Sequence, residues 1–156
     1  MTSPLTIQLP DEDATRQLGA RLGKLLPDGA VVALNGPLGA GKTRLVQGLA
    51  GAIGLVPRKV VSPTFTLVQE HRGVRTLYHF DAYRLRDDDE FLALGVDEYF
   101  YGTGLCVVEW AEKVSRCLPP EHLEIRLTPV DETTRRAEIT AVGEVYNQVV
   151  SQLAAR

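Results

Sequence analysis

Cysteine and long apolar runs are both scarce in this sequence. Its two cysteines, Cys106 and Cys117, form no CxxC motif and stand beside no cluster of metal-ligating residues, which argues against a disulfide scaffold or a zinc site. We expect free thiols in a reducing compartment. A membrane span needs about 20 apolar residues in succession, and the opening MTSPL lacks the basic and apolar regions of a signal peptide. These absences favour a cytoplasmic protein with no membrane partner.

Positive charge is also limited. Lys and Arg total 17 against 20 Asp and Glu, and the net charge is −3. A protein that binds nucleic acid by itself needs a basic surface to neutralise phosphates, so we expect any RNA contact to depend on a partner. The 156 residues are 44% apolar and 24% charged, which is typical of one globular domain spanning the whole chain, 1–156.

Turn residues and hydrophobic periodicity divide the chain into alternating helices and strands. Leucines at helical spacing predict a helix from Asp11 to about Leu26, and the apolar run 30–34 predicts a buried central strand. Further helices are predicted at 42–53, 87–94 and 144–155, and further strands at 6–9, 64–68, 75–80, 104–108, 122–128 and 135–141. This alternation predicts an α/β fold, a three-layer αβα domain with a mixed β-sheet.

The segment 36–43 reads GPLGAGKT and fits the pattern G-x-x-x-x-G-K-[ST] at every fixed position. It follows a predicted buried strand and precedes a predicted helix, which is the context of a P-loop. Its glycines let successive N–H groups converge on a phosphate, Lys42 is expected to reach the β- and γ-phosphates, and the Thr43 hydroxyl is expected to ligate Mg²⁺. The candidate nucleotide-binding residues are therefore Gly36, Pro37, Leu38, Gly39, Ala40, Gly41, Lys42 and Thr43.

A P-loop needs a second carboxylate to complete its metal site, and that residue normally ends a neighbouring apolar strand. Glu109 follows the run LCVV at 105–108, and Asp81 follows LYHF at 77–80. Taken alone, each would more simply be a surface charge at a strand end. Beside a P-loop, both become candidate catalytic and metal-binding residues.

Three other features carry weaker signals. The segment SPTF at 62–65 lies where P-loop proteins often place a switch loop that senses the γ-phosphate, although a plain proline turn would explain it equally well. Trp110 is expected to be a core residue or a wall of the site. The three histidines, at 71, 79 and 122, have no metal-like spacing and are expected to be structural or exposed.

Four motifs occur together in the order and spacing of one family. They are GPLGAGKT at 36–43, SPTFTLV at 62–68, HFDAYRL at 79–85 and VVEW at 107–110. On these motifs the chain resembles the TsaE (YjeE) family, the bacterial ATPases of tRNA threonylcarbamoyladenosine (t6A) biosynthesis. The resemblance runs from about Leu9 to Trp110.

The resemblance implies a P-loop NTPase domain that uses ATP or ADP with Mg²⁺. It implies a role in t6A modification at adenosine 37 of tRNAs that read codons beginning with A. In this family the protein binds the TsaB–TsaD transferase complex and hydrolyses ATP to keep it turning over, with weak activity alone and stimulation by the partner. Contact with tRNA would be indirect, through that complex.

The resemblance also assigns roles to residues. It makes Lys42, Asp81 and Glu109 catalytic, with Thr43, Glu109 and Asp81 at the metal. It places the region of Glu12 near the adenine and makes the segment of Thr64 a switch at the phosphates.

Three alternatives remain to be separated from this interpretation. A small-molecule kinase usually has an arginine-rich lid, but between Arg84 and Gly104 the only basic residue is Arg86. A GTPase needs the guanine-binding tetrapeptide N/T-K-x-D, which the sequence lacks. A non-catalytic adaptor gated by nucleotide would not need the intact set of Lys42, Thr43 and Glu109.

Overall fold

A mixed β-sheet organises the fold. The computed structural model describes residues 4–63 and 67–155. In this part of the chain the strands are β1 Leu5–Leu9, β2 Val31–Asn35, β3 Val68–Arg72, β4 Thr76–Asp81, β5 Leu105–Glu109, β6 His122–Pro129 and β7 Arg135–Val142. The helices are α1 Glu12–Leu25, α2 Lys42–Ala52, α3 Asp88–Leu92, α4 Val96–Phe100 and α5 Glu144–Ala155, with 3₁₀ helices at Pro57–Lys59 and Ala111–Cys117.

The strands lie in the order β1-β7-β6-β2-β5-β4-β3. Strands β6, β2, β5 and β4 are parallel, whereas β1, β7 and β3 pair antiparallel with their neighbours. The central strands β2 and β5 are covered on both faces, which explains why their sequences VVALN and LCVVE are nearly continuous apolar runs. Each ends on a polar residue, Asn35 or Glu109, so the polar side chains of these strands collect at the carboxyl edge of the sheet.

Helices cover both faces of this sheet. Helices α1, α2 and α5 pack on one face, in a core that includes Leu22, Leu49 and Leu153. Helices α3 and α4 and the second 3₁₀ helix cover the other face, in a core that includes Phe91 and Phe100. The predicted three-layer αβα architecture with a mixed sheet is confirmed.

Helices α1 and α2 pack unusually close because glycines line their contact. A Cβ atom on Gly19 would lie 2.0 Å from the carbonyl oxygen of Leu45, and one on Gly48 would lie 2.0 Å from the backbone of α1. A Cβ on Gly41, just before α2, would meet Thr15 in the first turn of α1 at 3.7 Å. The two helices therefore begin side by side at the same end of the pair.

The strand predicted at 64–68 is wrong in position. β3 occupies Val68–Arg72, and Leu67 before it has a φ of +69°, a left-handed conformation that a strand does not tolerate. The N–H of Leu67 donates to the carbonyl of Pro63 at 2.8 Å, so this N–H pairs with a residue four before it and not with a neighbouring strand. Residues 64–66 themselves lie outside the described part.

The helix predicted at 87–94 is shorter than expected. α3 ends at Leu92, and Gly95, with a φ of +74°, separates it from the unpredicted α4. The other predicted elements are observed within one residue of their expected ends. Across residues 4–63 and 67–155, no helix combines the length and apolar character needed to cross a membrane.

Candidate functional site

A cavity of about 940 Å³ opens at the carboxyl edge of the sheet. Five parts of the fold surround it: the loop between β2 and α2, the ends of β4 and β5, the start of α1, Ser62 in the segment before β3, and the hairpin between β6 and β7. Open α/β sheets bind ligands at the carboxyl ends of their strands, and small-molecule sites span about 300–1,000 Å³. The place and size of the cavity suit a nucleotide.

Glycines hold the loop between β2 and α2 in a tight curl. The φ angles of Gly36, Gly39 and Gly41 are +150°, +79° and +96°, which residues with a side chain rarely adopt. A Cβ on Gly36 would also lie 2.5 Å from the carbonyl oxygen of Leu127. The glycines therefore fit the loop both in conformation and in space.

The other loop residues shape the turn or line the cavity. The N–H of Ala40 donates to the carbonyl of Pro37 at 3.1 Å, and Ala40 is fully buried, whereas Leu38 is 73% exposed. Thr43 lines the cavity. Of the eight predicted residues, six line the cavity, and Gly36 and Pro37 form the turn behind it.

Helix α2 begins without a side-chain cap. Its N-cap residue is Gly41, which has no side chain to cap the helix, its first turn contains no acidic residue, and over residues 4–63 and 67–155 no side-chain cap is found. The first N–H groups of a helix have no intrahelical partner, and together with the helix dipole they attract anions. This N-terminus faces the cavity and is suited to a phosphate.

Lys42 is a buried cation at the same place. It is 6% exposed, its Nζ donates to the carbonyl oxygen of Gly36 at 2.5 Å, and it lies 3.8 Å from the centre of the Trp110 ring. Burial lowers the pKa of Lys42, and the negative charges of Glu109 and Asp81 oppose that shift. An ammonium group that loses hydration in this way gains from the arrival of an anion.

Asp81 and Glu109 end neighbouring strands and are paired in register. Each is 2% exposed, and both line the cavity. The Ser62 hydroxyl donates to Oδ2 of Asp81 at 3.0 Å, and the Tyr83 N–H donates to Oδ1 at 2.8 Å. The structure therefore brings both carboxylates to the cavity that Lys42 and Thr43 line.

These side chains fit a magnesium site of the P-loop kind. Thr43, Asp81 and Glu109 present oxygen atoms, the ligands that Mg²⁺ prefers. Over the described residues, no group of three or more His, Cys, Asp or Glu side chains is arranged to hold a metal by itself. In P-loop proteins a hydroxyl, one or two carboxylates, phosphate oxygens and water share the ion.

Of the two other predicted nucleotide-binding residues, Glu12 and Thr64, the structure describes only Glu12. Glu12 lines the cavity from the start of α1, with its side chain 73% exposed and its Oε2 atom 3.3 Å from Nε of Arg44 in α2. Thr64 lies outside the described residues, so its contact with a nucleotide stays a prediction. Its neighbour Ser62 is described and contacts Asp81.

Sequence reasoning missed part of the site. His79 is fully buried, and its Nε2 lies 2.5 Å from Oε2 of Glu109. Strand alternation could have found it, because residues two apart share one face of a strand and His79 stands two before Asp81. Arg135 donates from Nη2 to the carbonyl of Gly39 at 3.0 Å, and no local pattern signals a contact across that many residues. Trp110 lines the cavity, as expected for a wall of the site.

Comparison with known proteins gives a consistent result. The family model "Threonylcarbamoyl adenosine biosynthesis protein TsaE" matches residues 9–137. A tRNA threonylcarbamoyladenosine biosynthesis protein TsaE from Bacillus subtilis is 41% identical over 149 residues, covering 95% of this chain and 90% of that protein. The TsaE of Treponema pallidum is 44% identical over 126 residues, covering 81% and 91%.

A solved structure is similar over the whole chain. The crystal structure of Bacillus subtilis YdiB superposes with a TM-score of 0.83 at 33% identity and covers 99% of this chain and 97% of that one. The cavity and the buried side chains around it thus lie in a fold shared with a solved protein, and the family match spans the P-loop, both strand-end carboxylates and most of the sheet. The chain therefore belongs to the TsaE family of threonylcarbamoyl adenosine biosynthesis proteins.

Proposed function

We propose that this chain binds and hydrolyses ATP as an accessory protein of tRNA t6A37 biosynthesis, acting on the TsaB–TsaD transferase complex to allow turnover. One observation carries the catalytic part of the proposal. The buried amine of Lys42, the uncapped N-terminus of α2 and the buried carboxylates of Asp81 and Glu109 all meet at one cavity. Family membership supports the pathway.

Each side chain has a defined part in this proposal. Lys42 and the N–H groups of the loop bind the β- and γ-phosphates. Thr43 and Glu109 hold Mg²⁺, and Asp81 orients the ion or the attacking water. When bound, Mg²⁺ would neutralise charge on the phosphate oxygens.

The reaction is hydrolysis of the terminal phosphoanhydride. A water oxygen forms a bond to the γ-phosphorus while the bond from that phosphorus to the bridging oxygen breaks, and ADP, phosphate and a proton are released. The charge that develops on the leaving β-phosphate faces Lys42 and the α2 N-terminus. Both are preorganised, because the loop glycines and the burial of Lys42 fix them before the ligand arrives.

The segment 62–65 is proposed to be the switch that reports the γ-phosphate to the partner. Its described part supports this, because the Ser62 hydroxyl donates to Asp81, a proposed catalytic residue. Pro63 restricts Ser62 to extended conformations, so any movement of the segment would pull on this hydrogen bond. Amide hydrogen exchange that is equal with ADP, with a non-hydrolysable ATP analogue and with partner added would contradict the switch.

The experiment that tests the proposed function is an ATPase assay with and without purified TsaB–TsaD and tRNA. We expect slow hydrolysis by the chain alone and clear stimulation by the complex. A kinase acting on a small molecule would instead need its acceptor and ignore the complex. TsaB–TsaD alone is the control for contaminating activity.

The same assay applied to Glu109→Gln tests the metal assignment. The substitution keeps the size of the side chain but removes its charge, and we expect roughly a hundredfold loss of hydrolysis, the scale of loss seen when a group that stabilises developing charge is removed. Affinity for ADP without Mg²⁺ should stay within about twofold of the wild type, since Lys42 and the loop are untouched. Wild-type hydrolysis with the usual Mg²⁺ dependence would exclude Glu109 as a metal ligand and leave Asp81 in its place.

A further inference from the structure

His79 is a fully buried histidine between the core and the cavity. It lies on β4 two residues before Asp81, and side chains two apart on a strand share one face of the sheet. Its exposure is 0%, and its register partner on β5 is Val107, two residues before Glu109. The fold therefore stacks a histidine directly behind the pair of strand-end carboxylates.

The contact between this histidine and Glu109 is short and buried. Nε2 of His79 lies 2.5 Å from Oε2 of Glu109. An ionised carboxylate only accepts hydrogen bonds, so Glu109 in its ionised form requires the proton of this contact on Nε2. Among the described residues, Nδ1 of His79 is buried without a hydrogen-bond partner.

That unpartnered nitrogen argues against a role in packing alone. Burying a polar atom without a partner costs about 1–3 kcal/mol, and an apolar side chain of similar size would fill the same space without that cost. We therefore attribute the presence of a histidine at this position to the contact between its Nε2 atom and Glu109.

Asp81 and Glu109 differ in how they are held. Two donors, Ser62 and Tyr83, fix both oxygens of Asp81. For Glu109, the described contacts of the carboxylate supply one donor, His79. Glu109 also has one more rotatable bond than Asp81, so it depends more on that single donor for its orientation.

We infer that His79 is a positioning residue: its Nε2–H holds Oε2 of Glu109 and so orients the carboxylate as a ligand for the Mg²⁺ that accompanies the nucleotide. The inference rests on the proposed function, since Glu109 is the metal carboxylate in that proposal. Hydrogen-bond partners of metal ligands commonly set ligand orientation, and their loss lowers metal affinity by about 10–100-fold.

The test measures the Mg²⁺ requirement for nucleotide binding and needs no turnover. Calorimetry of a non-hydrolysable ATP analogue at increasing Mg²⁺ gives the half-maximal Mg²⁺ concentration. We expect His79→Leu to raise that concentration about tenfold. His79→Gln, whose amide N–H can replace Nε2–H, should stay within about threefold of the wild type. Affinity for ADP without Mg²⁺ should be unchanged in both variants.

Two controls separate positioning from stability. His122→Gln alters another buried histidine, at the opposite end of the parallel strands, where it contacts Pro119 and Glu124. It should leave the Mg²⁺ requirement unchanged. In a Glu109→Gln background, His79→Leu should add no further effect, because the ligand it positions is already lost.

The outcomes distinguish the inference from the function on which it rests. A wild type that binds no nucleotide in a Mg²⁺-dependent way overturns both. If the wild type binds nucleotide in a Mg²⁺-dependent way and His79→Leu has the same Mg²⁺ requirement, the inference about His79 is overturned and the proposed function is not.

If His79→Leu does not fold, nitrogen NMR of the wild-type ring decides. We expect the proton on Nε2 and a shift of that signal when Mg²⁺ is added to the nucleotide complex. A proton on Nδ1, or a signal that ignores Mg²⁺, overturns the inference.

Discussion

Helices α1 and α2 begin side by side, yet their N-termini are stabilised in opposite ways. At α1 the carboxylate of Asp11 accepts from the N–H of Ala14 at 2.8 Å, and two acidic residues occupy the first turn. At α2 the cap is Gly41, with no side-chain hydrogen bond and no acid in the first turn. The N-terminus of α1 is neutralised by side chains of its own helix, whereas the N-terminus of α2 is not.

Under the proposed function, this difference lets one small region serve both stability and binding. A side-chain cap contributes about 1 kcal/mol to a helix, and α2 forgoes that contribution. Beside this N-terminus lies the buried side chain of Lys42, whose burial is only partly offset by the negative charges of Glu109 and Asp81. The ion pair between Glu12 and Arg44, at 3.3 Å, joins the two helix starts. Substitutions at each N-terminus should therefore move stability and affinity separately.

The largest expected effect comes from Lys42→Met, which removes the charge and leaves an unbranched side chain that is one atom shorter. Binding of ATP and ADP should fall by about a hundredfold or more, because a charged hydrogen-bond donor to the phosphates is lost. Without nucleotide, the free energy of unfolding at neutral pH should rise slightly, because burial disfavours the charged form of Lys42 more than Glu109 and Asp81 favour it. Calorimetry and thermal unfolding measure the two effects.

The lowered pKa of Lys42 also predicts how the stability of the protein changes with pH. Burial places the folded-state pKa of Lys42 below its ordinary value of 10.5, so the folded protein binds fewer protons than the unfolded chain between those two values. Wild-type stability should therefore gain a component that rises with pH through that window, and Lys42→Met should lack it. If Lys42→Met is less stable than the wild type at neutral pH, the prediction is wrong. That result would show that the attraction of Glu109 and Asp81 for the lysine charge outweighs the cost of burying it.

A smaller effect is expected at the capped helix. Asp11→Ala removes the acceptor for Ala14 and should cost about 1 kcal/mol of stability, or about 2–4 °C in melting temperature. Affinity for ADP should change by less than about threefold. Asp87→Ala is the matched control, since Asp87 caps α3 through the same type of contact, from the N–H of Glu90 at 3.0 Å. A tenfold loss of ADP affinity in Asp11→Ala alone would place the α1 N-terminus among the ligand contacts.

Part of the difference between the two helix N-termini could be predicted from the sequence. The glycines, Lys42 and Thr43 follow a pattern whose every position has a physical reason, so the loop and the uncapped helix could be predicted. The acids that open α1 also predicted its start. Strand ends supplied Asp81 and Glu109, because a polar residue after an apolar run marks the carboxyl edge of a sheet.

What sequence reasoning could not supply was contact across the fold. The approach of α1 to α2 depends on Gly19 meeting Leu45, which no local pattern reveals. The hydrogen bond from Arg135 to Gly39 joins two distant loops. Local patterns can also mislead. The β-forming residues at 64–68 predicted a strand there and did not indicate the left-handed conformation of Leu67.

The smallest expected effect concerns the ion pair that joins the helix starts. Glu12→Gln removes the ion pair of Arg44 but leaves its hydrogen bond to Gln47. Because both Glu12 and Arg44 are largely exposed, the stability should change by less than about 0.5 kcal/mol. Its consequence for binding is electrostatic. Arg44 lines the cavity beside Thr43, so neutralising Glu12 makes the surroundings of the phosphates more positive.

Affinity of Glu12→Gln for ADP should therefore rise about two- to threefold at low salt and return to the wild-type value near 1 M salt, where the screening length is about 3 Å. Asp13→Asn is the matched control, because Asp13 is an exposed acid of the same turn that pairs within α1, with Arg16, and should change affinity less. The family resemblance implies that Glu12 lies near the adenine, and the same titration tests that role with GTP beside ATP. Electrostatics through Arg44 would raise both affinities alike, whereas a direct contact with the base would lower the affinity for ATP and spare that for GTP, at any salt concentration.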